Sequence, residues 1–365
     1  MKKKHVITLV AFALVLAALV LVLVTKREPE QTAEKIKYES YPMQGAFNTT
    51  TTVYGYATSG EEFMKVVNDA WAQIYEYHQL FDIYYEYEGI NNLCTINKLN
   101  ENGEHDVVKV DRKIIDMLLY AKRMYTVTNG KMNIAMGSVL SIWHDYRSDA
   151  IDNHFGFGEL PPMDMLQEAA KHTDINDLII DEENSTVYLA DPKMKLDVGA
   201  IAKGYAVEMV ARNLESKGIT NYVLDVGRNL RTLGTKASGE KWMAGVINPN
   251  YEEANEPYYL AYVGFADQSL VSSGDYERFY MVGSKRYHHI IDPDTLMPSE
   301  GIRAVSIVCD HSGDGDGLST AIFCMTVEEG LALIESLDGV EAMWLLSDGT
   351  IVRSSGFSAL EVELE

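Results

Sequence analysis

The sequence predicts an α+β fold in which β-strands outnumber helices. Most of the predicted strands beyond residue 220 follow one another through short turns, such as Gly283-Ser284-Lys285, and not through helices. The helical patterns lie mainly before residue 220 and near the end of the chain, so the regular strand–helix alternation of a doubly wound parallel sheet is missing. These two observations favour the α+β class.

The chain opens with a segment, residues 1–25, that we interpret as a transmembrane signal anchor. Lysines precede an apolar run from Val6 to Val24, roughly 19 residues, which suffices to cross a bilayer core as a helix. Basic residues on both sides favour a cytoplasmic start and a body on the extracytoplasmic side of the cell membrane. No small-x-small cleavage site follows, although cleavage just after the run is the alternative.

A stalk and one large domain are predicted after the anchor. Residues 26–38 are polar and charged with one proline, a composition typical of linkers. Residues 39–365 then form the folded body, since about 325 residues are within the range of a single mixed domain.

The first elements of the body are predicted as a strand and two amphipathic helices. Alternating Thr, Val and Tyr residues predict a strand over 49–57. Apolar residues at helical spacing predict a helix over 61–80. A second helix is predicted to begin after Asp111, as its cap, and to end near Val127.

The later elements are mostly strands. A strand is predicted at 187–189 and another ends just before Asp197, followed by a helix from about Ala200 to Lys217. Further strands are predicted at 222–226, 242–247, 258–265, 279–282, 287–291, 303–309 and 342–346, with helices beginning near Gly317 and Glu328.

Charge and cysteine content exclude some classes of function. The formal net charge of −23 argues against binding a phosphate backbone, so no nucleic-acid partner is expected. The three cysteines are few and lack metal-type spacing, which makes a disulfide scaffold or a zinc site a poor interpretation.

The segment from Leu196 to Glu208 suggests an anion site. It passes through a Gly-Ala turn into a helix, whose first amide groups are free to bind an anion such as a diphosphate. Lys203 lies in the first turn, where its charge opposes the helix dipole and suits a ligand better. The alternative is that Asp197 only caps the helix and that Lys203 is solvated.

Two later clusters could carry chemistry. His289 lies near the end of a predicted strand, just before the turn at Asp292-Pro293. A histidine at a strand end can act as a general base. The alternative is that His289 or Asp292 only forms a hydrogen bond within the turn. Asp316 and Thr320 are four residues apart and can share one helix face, so that they could bind Mg²⁺ together with a backbone carbonyl such as that of Ala200. Asp316 could instead be an N-cap and Thr320 a core residue. The acidic run from Asp310 resembles part of a calcium loop but lacks the closing glutamate.

Together these clusters resemble one family. From about Met43 to Gly356 the chain is similar to flavin transferases of the ApbE type, which are FAD:protein FMN transferases. The matching motifs, in the order of the family, are Phe81-Asp-Ile-Tyr84, Asn91-Asn-Leu-x-Thr-Ile-Asn97, Thr128-Asn-Gly130 through Met136-Gly-Ser-Val139, Leu196-Asp-Val-Gly-Ala-Ile-Ala-Lys-Gly204, His289-Ile-Ile-Asp-Pro293 and Asp316-Gly-Leu-Ser-Thr320.

The resemblance implies a mixed-sheet flavin-transferase fold, with residues 39–365 as the catalytic domain. It implies that FMN passes from FAD to a Thr or Ser hydroxyl of an acceptor protein, one with an FMN-binding domain of an electron-transfer system, and that AMP is released. It also implies the site residues. Mg²⁺ would be held by Ala200, Asp316 and Thr320, and FAD would contact Met43, Met132, Asn133, Ile134, Asp197, Lys203 and Ile291, with His289 as the catalytic base.

The chain departs from the family pattern at two places. Val226-Gly-Arg-Asn229 stands where the family usually has Gly-Gly-Asn, so Arg228 either adds a phosphate contact or shifts the loop. Met132-Asn133 replaces Phe-Asp, which removes one carboxylate near the flavin. Two other functions remain possible at this point: a Mg²⁺-dependent FAD pyrophosphatase that yields FMN and AMP, and a flavin-binding protein without catalysis.

Overall fold

The computed structural model of the chain describes residues 34–103, 106–251 and 256–363. The interpretation of residues 1–25 as a signal anchor, and most of the predicted stalk, lie outside these ranges. Within them, no helix combines the length and the apolar character needed to cross a membrane.

Within the described residues, a nine-stranded sheet forms the centre of the molecule. Its order is β1-β3-β7-β8-β11-β14-β15-β16, with β2 paired to β3. The strands are β1 (Ile36–Glu39), β2 (Met43–Ala46), β3 (Thr49–Ala57), β7 (Tyr222–Val226), β8 (Asn229–Leu233), β11 (Ser269–Gly274), β14 (Ile302–Cys309), β15 (Glu341–Leu346) and β16 (Ile351–Arg353).

Every strand pair in this sheet is antiparallel. The α+β class is therefore confirmed, but the expectation of a mixed sheet is wrong, because neighbours such as β7 and β8 are joined by tight turns and must run in opposite directions. Strand β1 pairs with β3 from Ile36 to Glu39, so the last residues of the predicted stalk belong to the sheet.

Three smaller sheets and the helices complete the fold. The remaining strands are β4 (Val108–Lys109), β5 (Leu178–Asp181), β6 (Thr186–Leu189), β9 (Trp242–Ile247), β10 (Tyr259–Phe265), β12 (Phe279–Val282) and β13 (Lys285–His288). They pair as β4-β6-β5, β9-β10 and β12-β13. The helices are α1 (Gly60–Phe81), α2 (Leu93–Glu101), α3 (Arg112–Val127), α4 (Gly137–His154), α5 (Met163–Ala169), α6 (Ala202–Ser216), α7 (Ser312–Phe323) and α8 (Val327–Glu335).

The central sheet separates two layers. On one face, α1, α6 and α7 pack against one another and against the sheet, around buried residues such as Leu224, Ile307 and Phe323. On the other face, the β9–β10 hairpin covers a smaller apolar cluster that includes Phe265 and Leu270. A third cluster joins α4 to the β12–β13 hairpin.

The two long helices of the first half form as the apolar periodicity predicts. Helix α1 is capped by the Ser59 side chain, which accepts a hydrogen bond from the Glu62 amide, and it buries residues from Phe63 to Phe81 along one face. Helix α3 is capped by Asp111, as expected from the sequence. The caps fix where each helix begins and so which face turns toward the sheet.

Other elements differ from the prediction. The described residues 190–196, directly before Asp197, form no strand, and Lys195 makes only an isolated bridge with Met136. Helix α7 begins at Ser312 and not near Gly317, because the His311 side chain caps it, and so the acidic run after Asp310 is helical. Strand β13 ends at His288, since the chain turns away before the Asp292-Pro293 bend. The sequence analysis does not predict helices α2, α4 and α5 or strands β1, β2, β4, β5, β8, β11 and β16.

Candidate active site

A cleft with a volume of about 280 Å³ lies beside the central sheet, where β11 and the turn between β7 and β8 end. Its walls come from segments that are far apart in the sequence: the residues before α1 and after it, α4, the start of α6, the turn after β13, and α7. The predicted site residues that line it are Met132, Asn133, Asp197, Ala200, Lys203, His289, Ile291, Asp316 and Thr320.

The turn before α6 is held by Asp197. Its carboxylate accepts a hydrogen bond from the Gly199 amide at 2.9 Å, and its own amide donates to the Ile134 carbonyl at 2.8 Å. The carboxylate is mostly buried, with only 8% of the residue exposed. Asp197 therefore fixes the turn that presents Ala200 and Lys203 to the cleft.

Helices α6 and α7 meet at Asp316. Its Oδ2 accepts a hydrogen bond from the Gly204 amide at 2.8 Å, and its Oδ1 lies 3.3 Å from Lys203 Nζ. Burial lowers the pKa of Lys203, and the nearby Asp316 carboxylate opposes that shift. A carboxylate and an ammonium group thus share one buried spot at the base of the cleft.

Gly204 makes this contact possible. A Cβ added there would lie 2.4 Å from the Ser312 carbonyl oxygen and 2.5 Å from Asp316 Cβ, so no larger residue fits without moving α7. The close approach of the two helices brings the Asp316 side chain to the first turn of α6.

The donor set at this spot fits a hard cation. The Ala200 carbonyl, the Asp316 carboxylate and the Thr320 hydroxyl all line the cleft and supply oxygen ligands. The Gly204 amide donates to Asp316, which leaves the Ala200 carbonyl, four residues before it, free of that helical bond. No group of three or more His, Cys, Asp or Glu side chains gathers in the part of the chain that the structure describes. Mg²⁺ suits such a sparse set because it keeps several water or phosphate ligands.

His289 faces the cleft, whereas its neighbour His288 does not. His288 Nε2 contacts the Ser299 carbonyl at 2.8 Å on the opposite side of the strand end. The Nδ1 atom of His289 is buried and has no hydrogen-bond partner among the described residues. Burial, with the positive charges of Arg278 and Arg147, lowers the pKa of His289 to about 3, so the ring is neutral at neutral pH.

The turn after His289 is tied to the segment before α4. Lys131 Nζ lies 2.7 Å from Asp292 Oδ1 and 2.8 Å from Asp294 Oδ2. This double ion pair holds Met132 and Asn133 next to the turn that carries Ile291. Two motifs that are about 160 residues apart in the chain thereby form one wall of the cleft.

The ApbE family model matches residues 47–344 of this chain. This chain belongs to the ApbE family. An FAD:protein FMN transferase of Treponema pallidum is 31% identical over 274 residues, which cover 71% of this chain and 72% of the relative. One of Klebsiella pneumoniae is 28% identical over 287 residues, 76% of this chain and 84% of the relative.

Solved structures of ApbE proteins share the fold. The ApbE protein of Thermotoga maritima matches with a TM-score of 0.75 at 24% identity, covering 90% of this chain and 100% of that one. The flavin transferase ApbE of Vibrio cholerae matches with a TM-score of 0.71 at 22% identity, covering 90% and 99%.

Two predicted contact residues do not line the cleft of this ApbE-family chain. Met43 lies in β2, paired with Thr51 at the side of the sheet. Ile134 is 1% exposed and packs in the main core, where its carbonyl accepts the hydrogen bond from Asp197. Ile134 thus supports the Asp197 turn from the core side.

Several residues of the ApbE-family cleft were missed in the sequence. Tyr84 donates or accepts a hydrogen bond with His144 Nδ1 at 2.9 Å, and His144 Nε2 lies 3.9 Å from Asp197 Oδ2. Arg278 also lines the cleft. Tyr84 lies within a matched motif and could have been named, whereas His144 depends on α4, which was not predicted.

The two departures from the family pattern have different structural outcomes. Gly227 and Arg228 both have positive φ, +55° and +67°, in the two-residue turn between β7 and β8. The Arg228 guanidinium pairs with Glu277 and donates to the Tyr276 hydroxyl at 3.2 Å. Asn133 uses its side chain locally, since Nδ2 donates to the Thr173 carbonyl and Oδ1 accepts from the Ala135 amide.

Proposed function

We propose that this chain transfers FMN from FAD to a Thr or Ser hydroxyl of an acceptor protein and releases AMP. The observation that carries the proposal is the convergence of Lys203, Asp316 and His289 in one cleft from three distant segments. The names of the relatives, FAD:protein FMN transferases, support the same reaction.

We propose that the diphosphate of FAD binds at the start of α6. The Lys203 ammonium group attracts phosphate oxygens. The expectation that the first amide groups of this helix are free is largely wrong, because the Gly199 amide donates to Asp197, the Ala202 amide to the Val198 carbonyl and the Gly204 amide to Asp316. Arg278 adds positive charge on the opposite wall of the cleft. These groups hold the diphosphate where negative charge grows during the reaction and so stabilise the transition state.

We propose that the oxygen donors of Ala200, Asp316 and Thr320 hold Mg²⁺. The ion would supply charge neutralisation on the phosphate oxygens. Lys203 Nζ lies 3.3 Å from Asp316 Oδ1, so its ammonium group is next to the proposed metal ligands and within reach of phosphate oxygens bound there.

His289 is the proposed base. The acceptor hydroxyl oxygen forms a bond to the phosphorus on the FMN side, the bond from that phosphorus to the bridging oxygen breaks, and AMP leaves. The hydroxyl proton goes to His289 Nδ1, the atom that lacks a partner. The negative charge of the bound diphosphate opposes the effect of the arginines and raises the pKa of the ring toward a useful value.

We also infer the cellular setting from the sequence. The acceptor is an electron-transfer protein with an FMN-binding domain, and the apolar run within residues 1–25 attaches the enzyme to the cell membrane with its catalytic domain on the extracytoplasmic side. No nucleic acid is involved.

The experiment that tests the proposal combines enzyme, FAD, Mg²⁺ and an acceptor domain. A soluble form should begin at or before Glu34, because β1 starts at Ile36 and pairs with β3. We expect covalently bound, fluorescent flavin on the acceptor and one AMP per flavin. An acceptor with its hydroxyl residue replaced by alanine is the control.

Other outcomes of that experiment separate the alternatives. Release of AMP and FMN without a labelled acceptor would instead indicate an FAD pyrophosphatase. FAD binding with no nucleotide product would indicate a flavin-binding protein without catalysis. Either result would contradict the transferase proposal.

A further inference from the structure

A second cavity lies on the opposite face of the central sheet from α6 and α7. Its volume is about 420 Å³. It lies between the sheet and the β9–β10 hairpin and is open to solvent on one side, and we call it the rear cavity. The residues discussed for the transfer reaction do not line it.

The walls of the rear cavity are unusually aromatic. Six ring side chains line it: Tyr54, Trp242, Tyr259, Tyr262, Phe265 and Tyr276. The Tyr259 ring lies directly over Gly245, where a Cβ would come within 2.2 Å of it. Ala244 and Ala304 are also small, so the space between the rings is kept open. A flat apolar slot of this size is within the range of small-molecule sites.

Besides the tyrosine hydroxyls, the polar side chains that line the slot are those of Lys37, Asp225, Arg228, Ser272 and Ser306. Asp225 accepts a hydrogen bond from the Arg228 amide through Oδ1 at 3.1 Å, while its Oδ2 has no hydrogen-bond partner among the described residues. Burial raises the pKa of Asp225. Ser272 and Ser306 share a hydrogen bond of 2.7 Å between their hydroxyls. A ligand with an N–H group on the edge that faces Asp225 would find a hydrogen-bond acceptor there.

We propose that the rear cavity binds a planar heteroaromatic ring, of the purine or flavin kind, with its N–H edge toward Asp225. Aromatic side chains favour stacking on a flat ring, and the half-buried Asp225 carboxyl favours one orientation of that ring. This site is separate from the proposed diphosphate site, and the inference does not depend on the proposed function.

The two sites meet at the turn between β7 and β8. Arg228 and Ser272 line both the rear cavity and the cleft. The Arg228 guanidinium stacks on the Tyr276 ring, 5.6 Å from its centroid, at the entrance they share. A ring bound behind the sheet would contact the same arginine that borders the cleft.

Equilibrium dialysis of the full chain with riboflavin in one arm and adenosine in the other tests the proposal. Both probes lack phosphate, so they cannot depend on the diphosphate site. We expect at least one to bind, and the arm that binds identifies the ring class. Ala244→Trp fills the slot and should weaken that binding by at least about tenfold. Ala359→Trp, at an exposed position outside both cavities, should leave it unchanged.

A second variant is needed because Ala244→Trp could lose probe binding through misfolding alone. Asp225→Asn keeps the shape of the side chain but puts an NH2 group in place of one carboxyl oxygen. That group donates instead of accepting, so we expect several-fold weaker probe binding. Binding of neither probe to the wild-type chain would overturn the proposal. Binding that both Ala244→Trp and Asp225→Asn leave unchanged would also overturn it, because the probe would then lie elsewhere.

Discussion

The lowered pKa of His289 determines how the free enzyme should respond to pH. With its pKa near 3, the ring is the neutral imidazole, with a proton on only one nitrogen, across the physiological range. We expect kcat/KM for FAD, which reports ionisations of the free enzyme, to show no acid limb near pH 6.5 that belongs to this residue. If kcat/KM falls in acid with a midpoint near pH 6.5, and this fall disappears in His289→Gln, the lowered pKa of His289 would be contradicted.

Replacement of His289 tests its role directly. His289→Gln should lower the transfer rate by about 10²–10⁴-fold, the usual contribution of a general base, while FAD affinity changes little. His288→Gln is the matched control, since that neighbour contacts the Ser299 carbonyl and does not face the cleft. Stopped-flow or endpoint assays of acceptor labelling measure both. Equal loss in the two variants would indicate a structural role.

Asp316 is the residue on which the metal assignment depends. Asp316→Ala should abolish Mg²⁺-dependent turnover and weaken Mg²⁺ binding measured by calorimetry. Asp314→Ala is the control on the same helix, because Asp314 points away to Tyr120 and Arg123. Unchanged turnover in Asp316→Ala would refute the assignment.

At the scale of elements, the contact between α6 and α7 assembles the site. Gly204→Ala places a Cβ against the Ser312 carbonyl and must push the helices apart. We expect the free energy of unfolding to fall by about 1–3 kcal/mol, and FAD affinity to fall with it. Urea denaturation and flavin titration measure the two effects.

The control for Gly204→Ala is Gly60→Ala at the start of α1. There the nearest atom to a new Cβ is a Tyr38 ring carbon at 3.7 Å, an ordinary contact. That variant should be neutral or slightly stabilising, because alanine favours helix more than glycine does. If both variants behave alike, close packing at Gly204 is not what positions Asp316.

The elements also show which parts of the structure the sequence could reveal. Helices α1 and α3 were predicted because their buried faces repeat at helical spacing and their caps are clear. Helix α4 was missed since its buried residues are few, Gly137, Val139, Trp143 and Ala150, and its cleft-facing side carries polar groups. Strands β8 and β11 were missed because polar residues such as Arg231 and Ser272 interrupt their pattern.

Some residues of the candidate site could also be predicted from the sequence, and others could not. Residues within matched motifs, such as Lys203 and Asp316, could be named from the sequence and do line the cleft. His144 and Arg278 could not, because only the packing of α4 and of the segment before β12 brings them there. Met43 and Ile134 lie off the cleft wall, since a motif specifies neighbours in the chain and not the direction of each side chain.

At the scale of the whole molecule, a buried ion pair joins three elements. Glu208 of α6 is 1% exposed; its Oε2 lies 3.0 Å from Arg231 Nε of β8 and accepts a hydrogen bond from the Ser312 amide of α7. Burial alone would raise the pKa of Glu208, but the Arg231 charge and these hydrogen bonds outweigh it and lower the pKa. The ionised carboxylate therefore stabilises the fold at neutral pH, and that contribution is lost as the pH falls through the lowered pKa.

Glu208→Gln measures this contribution. We expect it to lower the free energy of unfolding by about 3 kcal/mol at pH 7, since Arg231 loses its buried partner. The difference from wild type should shrink in acid, as the wild-type carboxylate becomes protonated. Glu86→Gln, in the exposed pair with Lys98, should cost less than about 1 kcal/mol. A difference for Glu208→Gln that does not change with pH would contradict this account.

The Gly227-Arg228 turn leaves one position free to vary during evolution. The φ of +67° at residue 228 is a conformation that glycine adopts without strain, so exchange of arginine for glycine would relieve about 1 kcal/mol in the backbone. Its side chain is exposed and lies outside the hydrophobic core. Arg228→Gly would therefore remove a positive charge where the two cavities meet, together with the contacts to Glu277 and Tyr276, and would leave the packing of the hydrophobic core intact.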